Sequence, residues 1–165
     1  MKNVICIGMP GCGKTTIAKL TAEALNRLWI DTDRMIEINE NMTIPEIFEA
    51  KGEAYFRKLE YGCIYDAMRF SDAVISVGGG APVYCGELLR AHSPVIYIKR
   101  SLCDIRATLE PGMRPLLNDP DALQKLYDER HAVYEDLCNH IVVNDDTLKS
   151  AVDRIVRYID ETADH

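Results

Sequence analysis

Nowhere in the 165-residue chain do apolar residues run together for the ~18 positions that a membrane-spanning helix needs, so no membrane span is expected. Basic charge is also in short supply. Lysine and arginine total 19 against 26 acidic residues, a net charge of −7. That balance disfavours broad binding to nucleic acid or to an anionic membrane surface, but it leaves room for a local basic pocket around a small anion. The cysteines at 6, 12, 63, 85, 103 and 138 include no pair three apart, so a Cys-x-x-Cys metal or redox motif is missing. The first apolar run, Val4–Ile7, ends in a glycine-rich stretch, and no signal peptide is expected. Without a leader, the thiols are expected to be free in a reducing cytoplasm. There is no repeat, low-complexity tract or linker, and one domain over 1–165 is expected.

What the chain does have is short β-prone apolar runs alternating with helical patterns. Val4–Ile7, Ala73–Val77, Val95–Lys99 and Ile141–Val143 read as strands, with Leu28–Ile30 a weaker fifth. They lack polar alternation, as parallel strands buried on both faces do. Helices are predicted over about 14–26, with Ile17, Leu20, Thr21, Ala24 and Leu28 on one face, and from Thr43, where Glu46 completes a capping box. Others are predicted over about 54–70, from Asp119 with Pro120 at the first helical position, and from Thr147, burying Leu148, Val152, Ile155, Val156 and Ile159. The alternation predicts an α/β sandwich around a mostly parallel sheet. The aperiodic segment 110–118, with two prolines and a glycine, reads as a mobile loop.

Gly8-Met-Pro-Gly-Cys-Gly-Lys14-Thr15 is a complete Gly-x4-Gly-Lys-Thr phosphate loop, set between a predicted strand and a predicted helix. Successive backbone N–H groups and the helix N-terminus form an anion cradle. In such a loop the lysine reaches the β- and γ-phosphates and the hydroxyl at position 15 ligates Mg²⁺. There is no Gly-x-Gly-x-x-Gly dinucleotide fingerprint. Nor is there an Asp-x-x-Gly or Asn-Lys-x-Asp of a GTPase switch.

Acceptor-type residues stand near the predicted strand ends, where open α/β sheets bind ligands. Asp31 and Asp33, at a strand end, are expected to point the same way. One would hold Mg²⁺ through water and the other would meet an acceptor hydroxyl, or either would simply cap a helix. Arg57 and Glu60 share a helix face, either as a surface ion pair or as a carboxylate anchor and its support. Gly78-Gly79-Gly80 suits either a flexible turn or a close approach of substrate to the main chain. Cys12 also carries two readings. Lys14 and the helix N-terminus would lower its pKa and make it the most reactive thiol, or it is a small residue turned inward.

Taken together, these motifs resemble the shikimate kinases over essentially the full chain. The resemblance rests on Gly8–Thr15, Asp31-Thr-Asp33, Ile44-Pro-Glu-Ile-Phe48, Gly52-Glu-Ala-Tyr-Phe-Arg57-x-x-Glu60, Gly78–Gly80, Arg114-Pro-Leu-Leu117 and Arg130. It implies a P-loop fold of the nucleoside-monophosphate-kinase-like type, with five parallel strands in the order 2-3-1-4-5. It implies ATP-dependent phosphorylation of the 3-hydroxyl of shikimate, on the route through chorismate to aromatic amino acids. In such enzymes Gly11, Cys12, Gly13, Lys14, Thr15 and Thr16 would hold ATP, and Lys14, Asp33 and Arg114 would carry catalysis. Asp33, Arg57, Gly78, Gly79, Gly80 and Arg130 would bind shikimate, while Thr15 and, through water, Asp31 would hold Mg²⁺. The acceptor-binding part would span about 31–61, and 110–118 would be a lid carrying Arg114. Only Arg106 precedes that lid within 105–109 as a partner for adenine, and the loop Asn144-Asp-Asp-Thr147 lacks a basic residue. The expected partners are ATP, Mg²⁺ and shikimate, with no nucleic acid or membrane, and the expected state is a monomer. A gluconate-type kinase is disfavoured by the Arg57–Glu60 motif and the glycine triplet. A non-catalytic nucleotide-binding module is disfavoured by Lys14, Thr15 and Asp33.

Overall fold

Strands β1 (Val4–Ile7), β3 (Ala73–Ser76) and β4 (Val95–Lys99) are buried at every residue except Lys99, and they form the middle of the sheet. The computed structural model describes residues 2–92, 94–109 and 121–163. Strands β2 (Leu28–Asp31) and β5 (His140–Val143) flank the three and are partly exposed. All neighbours are parallel, in the order β2-β3-β1-β4-β5, with Ile5 opposite Ile75 on one side and Val95 on the other. Burial of Ile5, Ile7, Ile75 and Ile96 is complete or nearly so. Each such side chain is worth about 1.5–3 kcal/mol against exposure. A parallel sheet needs crossovers, and helices cover both of its faces. They are α1 (Lys14–Leu25), α2 (Thr32–Glu40), α3 (Ile44–Met68), α4 (Ala81–Arg90), α5 (Leu102–Thr108), α6 (Ala122–Leu137) and α7 (Leu148–Ala163).

Several sequence expectations need correction. Helices α4 and α5 were not anticipated, and α2 entered only as the helix that Asp31 or Asp33 would cap; the three have seven to ten residues, too few for a clear period. The helices expected from Thr43 and over 54–70 form one run, α3, interrupted at Gly52 (φ 79, ψ 171). Thr43 caps it as expected: its backbone N–H donates to Glu46 Oε2 at 2.7 Å, and Glu46 N–H donates to Thr43 Oγ1 at 3.4 Å. α1 buries Ile17 and Thr21 as expected, with Leu20 packed against the core, but Ala18 and Ala22 complete the inner face while Ala24 and Leu28 are exposed. α6 begins at Ala122, with Asp121 at the N-cap position and no side-chain capping bond. Asp119 and Pro120 lie outside the described residues, as does the expected lid segment 110–118. Leu148 is 41% exposed and takes no part in the buried face of α7.

Besides the main core, a second small one joins α2 to α3 through Ile36, Ile47, Phe56 and Cys63. Polar contacts tie the same pair of helices. Glu37 accepts the Ile44 N–H at 3.0 Å, and Glu40 Oε2 accepts from both Lys51 Nζ (2.7 Å) and the Tyr55 hydroxyl (3.0 Å). All six cysteines are free thiols. Cys12 is fully buried, its Sγ lying where a side chain on Gly8 would have to go. The structure therefore selects the inward reading, and the expectation that Cys12 is the most reactive thiol is corrected. Burial also raises the Cys6 thiol to about 12. Cys103 is exposed.

Two outcomes are expected. Gly52→Ala places a side chain at positive φ but meets no atom within 4 Å, so it should cost about 1–3 kcal/mol of backbone strain alone, read as a lowered urea midpoint. Limited alkylation followed by peptide mapping should label Cys103 before Cys12.

Candidate active site

The segments that leave the C-terminal ends of β1, β2 and β3 converge on one cleft of about 520 Å³. The β1 loop is the phosphate loop. Gly13 precedes α1 at φ 90, a conformation open to glycine and strained for other residues, and no side chain caps this helix start. Its N–H groups thus stay available to an anion. Two side chains brace the loop from behind. Asn144 Nδ2 donates to the Cys12 carbonyl at 3.0 Å, and Arg100 Nη1 donates to the Gly11 carbonyl at 3.4 Å. Lys14 is 6% exposed.

Asp31 and Asp33 do not lie along one strand, which corrects the expectation from their spacing. β2 ends at Asp31, and Asp33 stands in the first turn of α2. Asp31 is a helix cap, one of the roles that the sequence left open, and its second oxygen is held beside the phosphate loop. Its Oδ1 caps α2 by accepting the Arg34 N–H at 2.9 Å. Its Oδ2 accepts from Thr15 Oγ1 at 3.2 Å and from Ser76 Oγ at 3.0 Å. Thr15 and Asp31 thus bring two oxygens together beside the phosphate loop, a donor set of the hard-oxygen kind that suits Mg²⁺. Among the described residues no cluster of three or more His, Cys, Asp or Glu forms a metal cage.

Along the β3 side, charged groups press on the glycine triplet. A Cβ on Gly78 would lie 2.8 Å from Asp33 Oδ1 and 2.9 Å from Glu60 Oε1. On Gly79 it would meet Pro10 Cδ at 2.9 Å and Arg130 Nη1 at 3.4 Å, and on Gly80 it would meet Arg57 Nη1 at 2.5 Å. The close approach expected of a substrate is made here by the protein's own side chains. Arg57 Nη1 donates to Glu60 Oε2 at 2.7 Å, and Arg57 Nε and Nη2 both reach Glu53 Oε1, at 3.3 and 3.1 Å. Glu60 is 1% exposed, so this is not a surface ion pair. Burial pushes the Glu60 carboxyl up, with Arg57 pulling the other way and Asp33 adding to the rise. Arg130, from α6, is buried at the same end of the cleft. The Tyr134 hydroxyl, one turn further along α6, donates to the Gly79 carbonyl and fixes the triplet from below. Ile44, Pro45, Phe48 and Phe56 give the cleft an apolar wall.

The structure therefore brings Thr15, Asp31, Asp33, Arg57, Arg130 and the three glycines to one cleft, while Lys14 is buried beside Thr15 at the start of α1. Arg106 lies exposed on α5, and Arg114 lies outside the described residues. Ser76, Arg100, Tyr134 and Asn144 were missed. Of these, only Ser76, a hydroxyl ending an apolar strand, carried a signal that sequence reading could have used.

Comparison with known proteins agrees with this arrangement. A family model described as shikimate kinase matches residues 10–160. A shikimate kinase of Clostridium botulinum (strain Alaska E43 / Type E3) is 40% identical, over 96% of this chain and 98% of its own. The solved structure of shikimate kinase from Acinetobacter baumannii in complex with shikimate superposes with a TM-score of 0.92 at 27% identity, covering 98% of this chain and 94% of that one. Thymidylate kinase from Candida albicans shares the fold alone, with a TM-score of 0.63 at 10% identity over 98% of this chain and 92% of that one. A phosphate loop facing an arginine-lined acceptor pocket is what a small-molecule kinase requires, and with these likenesses the chain belongs to the shikimate kinase family, whose reaction is the ATP-dependent phosphorylation of shikimate.

Proposed function

We propose that the cleft works as a two-ended clamp, in which the phosphate loop holds ATP and the β3 side holds shikimate with its 3-hydroxyl turned toward Asp33. The observation that carries this reading is that one cavity is lined both by the bonded pair Thr15 and Asp31 and by Arg57, Arg130, Asp33 and the glycine triplet that they press on. Lys14 and the N-terminus of α1 bind the phosphates. Arg57 and Arg130 bind the shikimate carboxylate, and their planar forks match a carboxylate better than a lysine would. Asp33 orients the acceptor hydroxyl and takes its proton as the new O–P bond forms. Thr15 and Asp31 would hold Mg²⁺, which when bound neutralises phosphate charge. Arg114 and Arg106 belong to this reading through the family likeness: Arg114 on the transferred phosphate and Arg106 on the adenine side. The remaining chemistry is positioning in a partly apolar cleft, which keeps water from competing for the phosphoryl group.

ATP consumption should therefore depend on added shikimate and should not respond to gluconate; equal turnover without acceptor would overturn the reading. Asp33→Asn should lower kcat by roughly 10²-fold with little change in shikimate binding, measured by steady-state kinetics and calorimetric titration. Arg57→Lys should raise the KM for shikimate instead. Asp31→Asn keeps a capping side chain, so its melting temperature should stay close to that of the parent while its Mg²⁺ requirement rises. A large fall in melting temperature with unchanged Mg²⁺ dependence would make Asp31 a cap alone.

A further inference from the structure

Tyr84 has no place in the reaction as described, and it is 53% exposed. Yet the group on which acceptor binding rests lies over its ring. The Arg57 Cζ is 4.1 Å from the Tyr84 ring centroid, the shortest of the four cation–ring pairs among the described residues. The placement comes from the first turn of α4. Tyr84 N–H donates to the Gly80 carbonyl at 3.4 Å, and the backbone leaves helical geometry at the next residue, Cys85 (φ −123, ψ 18). Gly80 and Tyr84 thus stand one turn apart and meet the same guanidinium in different ways. A Cβ on Gly80 would be nearer to Arg57 Nη1 (2.5 Å) and Nη2 (2.7 Å) than to Cζ (2.9 Å), so Gly80 faces the terminal edge. Tyr84 covers a face.

The hydrogen bonds of Arg57 leave its attitude incompletely set. A guanidinium has five N–H donors. Three are directed to Glu53 and Glu60, leaving one on each terminal nitrogen among the bonds to described residues. Glu53 is 48% exposed and holds Nε and Nη2 through a single oxygen at 3.3 and 3.1 Å, a weak hold. Bonds of this kind act at the edges of the plane. Tilt of the plane is opposed by what lies on its face. A carboxylate bound at the terminal edge loses both of its bonds together when the plane tilts.

We propose that Tyr84 is a positioning residue for the acceptor carboxylate: its ring holds the Arg57 guanidinium so that the two terminal N–H groups face the cleft beside Gly80. The inference rests on Arg57 being the carboxylate anchor. It predicts a signature that a merely structural residue would not give. Tyr84→Ala should raise the KM for shikimate about 5- to 10-fold while kcat and the KM for ATP stay near those of the parent. Tyr84→Phe, which keeps the ring, should behave as the parent. Tyr84→Leu, which keeps apolar bulk without the ring's negative face, should behave as the alanine variant. In an Arg57→Lys background, Tyr84→Ala should add little, because the plane it orients is gone. If Arg57→Lys leaves the KM for shikimate unchanged, the anchor reading itself fails. If Arg57→Lys raises it, then a parental KM in Tyr84→Ala, equal behaviour of the leucine and phenylalanine variants, a loss confined to kcat, or full additivity with Arg57→Lys would each overturn the role of Tyr84 alone.

Discussion

The α-carbons of Gly78, Gly79 and Gly80 are the surface against which the acceptor end of the cleft is assembled. Asp33 and Glu60 meet the first, Arg130 and Pro10 the second, and Arg57 the third, each at a distance that a Cβ would close. The constraint at Gly80 is space and not backbone conformation, since its φ of −84 is open to any residue. Residues from α2, α3, α6 and the phosphate loop can therefore share one wall only because β3 is followed by a main chain without side chains. The Tyr134 hydroxyl holds that main chain by the Gly79 carbonyl, so α6 sets the height of the wall as well as supplying Arg130.

Packing carboxylates and guanidinium groups onto a buried backbone carries a desolvation cost. Glu60 shows it, as burial pushes its carboxyl up against the pull of Arg57. A buried ion pair of this kind is a poor source of stability, because desolvation offsets much of the attraction. Its use is orientational. Glu60 fixes Nη1 of Arg57 at 2.7 Å from inside the protein, and one N–H on each terminal nitrogen stays outside the bonds to Glu53 and Glu60. The exposed Glu53 can give way more readily.

The features legible in the sequence were those fixed by local rules. The phosphate loop is a contiguous motif, the central strands are apolar on both faces, and the Thr43–Glu46 cap is a four-residue pattern, so each could be read from neighbours alone. Asp31 and Asp33 were placed on one strand, but the strand ends at Asp31 and the helix begins at the next residue. Short helices such as α5 bury one residue, Ile105, and give no period to detect. Asn144, Tyr134 and Arg100 were invisible for another reason. Each acts on a backbone carbonyl of a distant loop, at separations of 132, 55 and 89 residues, and the carbonyl leaves no mark on the sequence.

The break in α3 links these levels. Gly52 turns the chain one residue before Glu53, so the half that carries Glu53, Arg57 and Glu60 runs in a direction set independently of the half that carries Ile44, Pro45 and Phe48. Lys51 and Tyr55 flank the break and both hold Glu40 at the end of α2. Phe48 and Phe56, from opposite sides of it, meet with ring centroids 4.8 Å apart. One helix thereby contributes both the apolar wall and the charged end of the cleft. An unbroken helix would advance ~1.5 Å per residue and place Phe48 and Arg57 about 13 Å apart along one axis. The break lets the apolar wall fold back toward the charged end, so that both line one cleft.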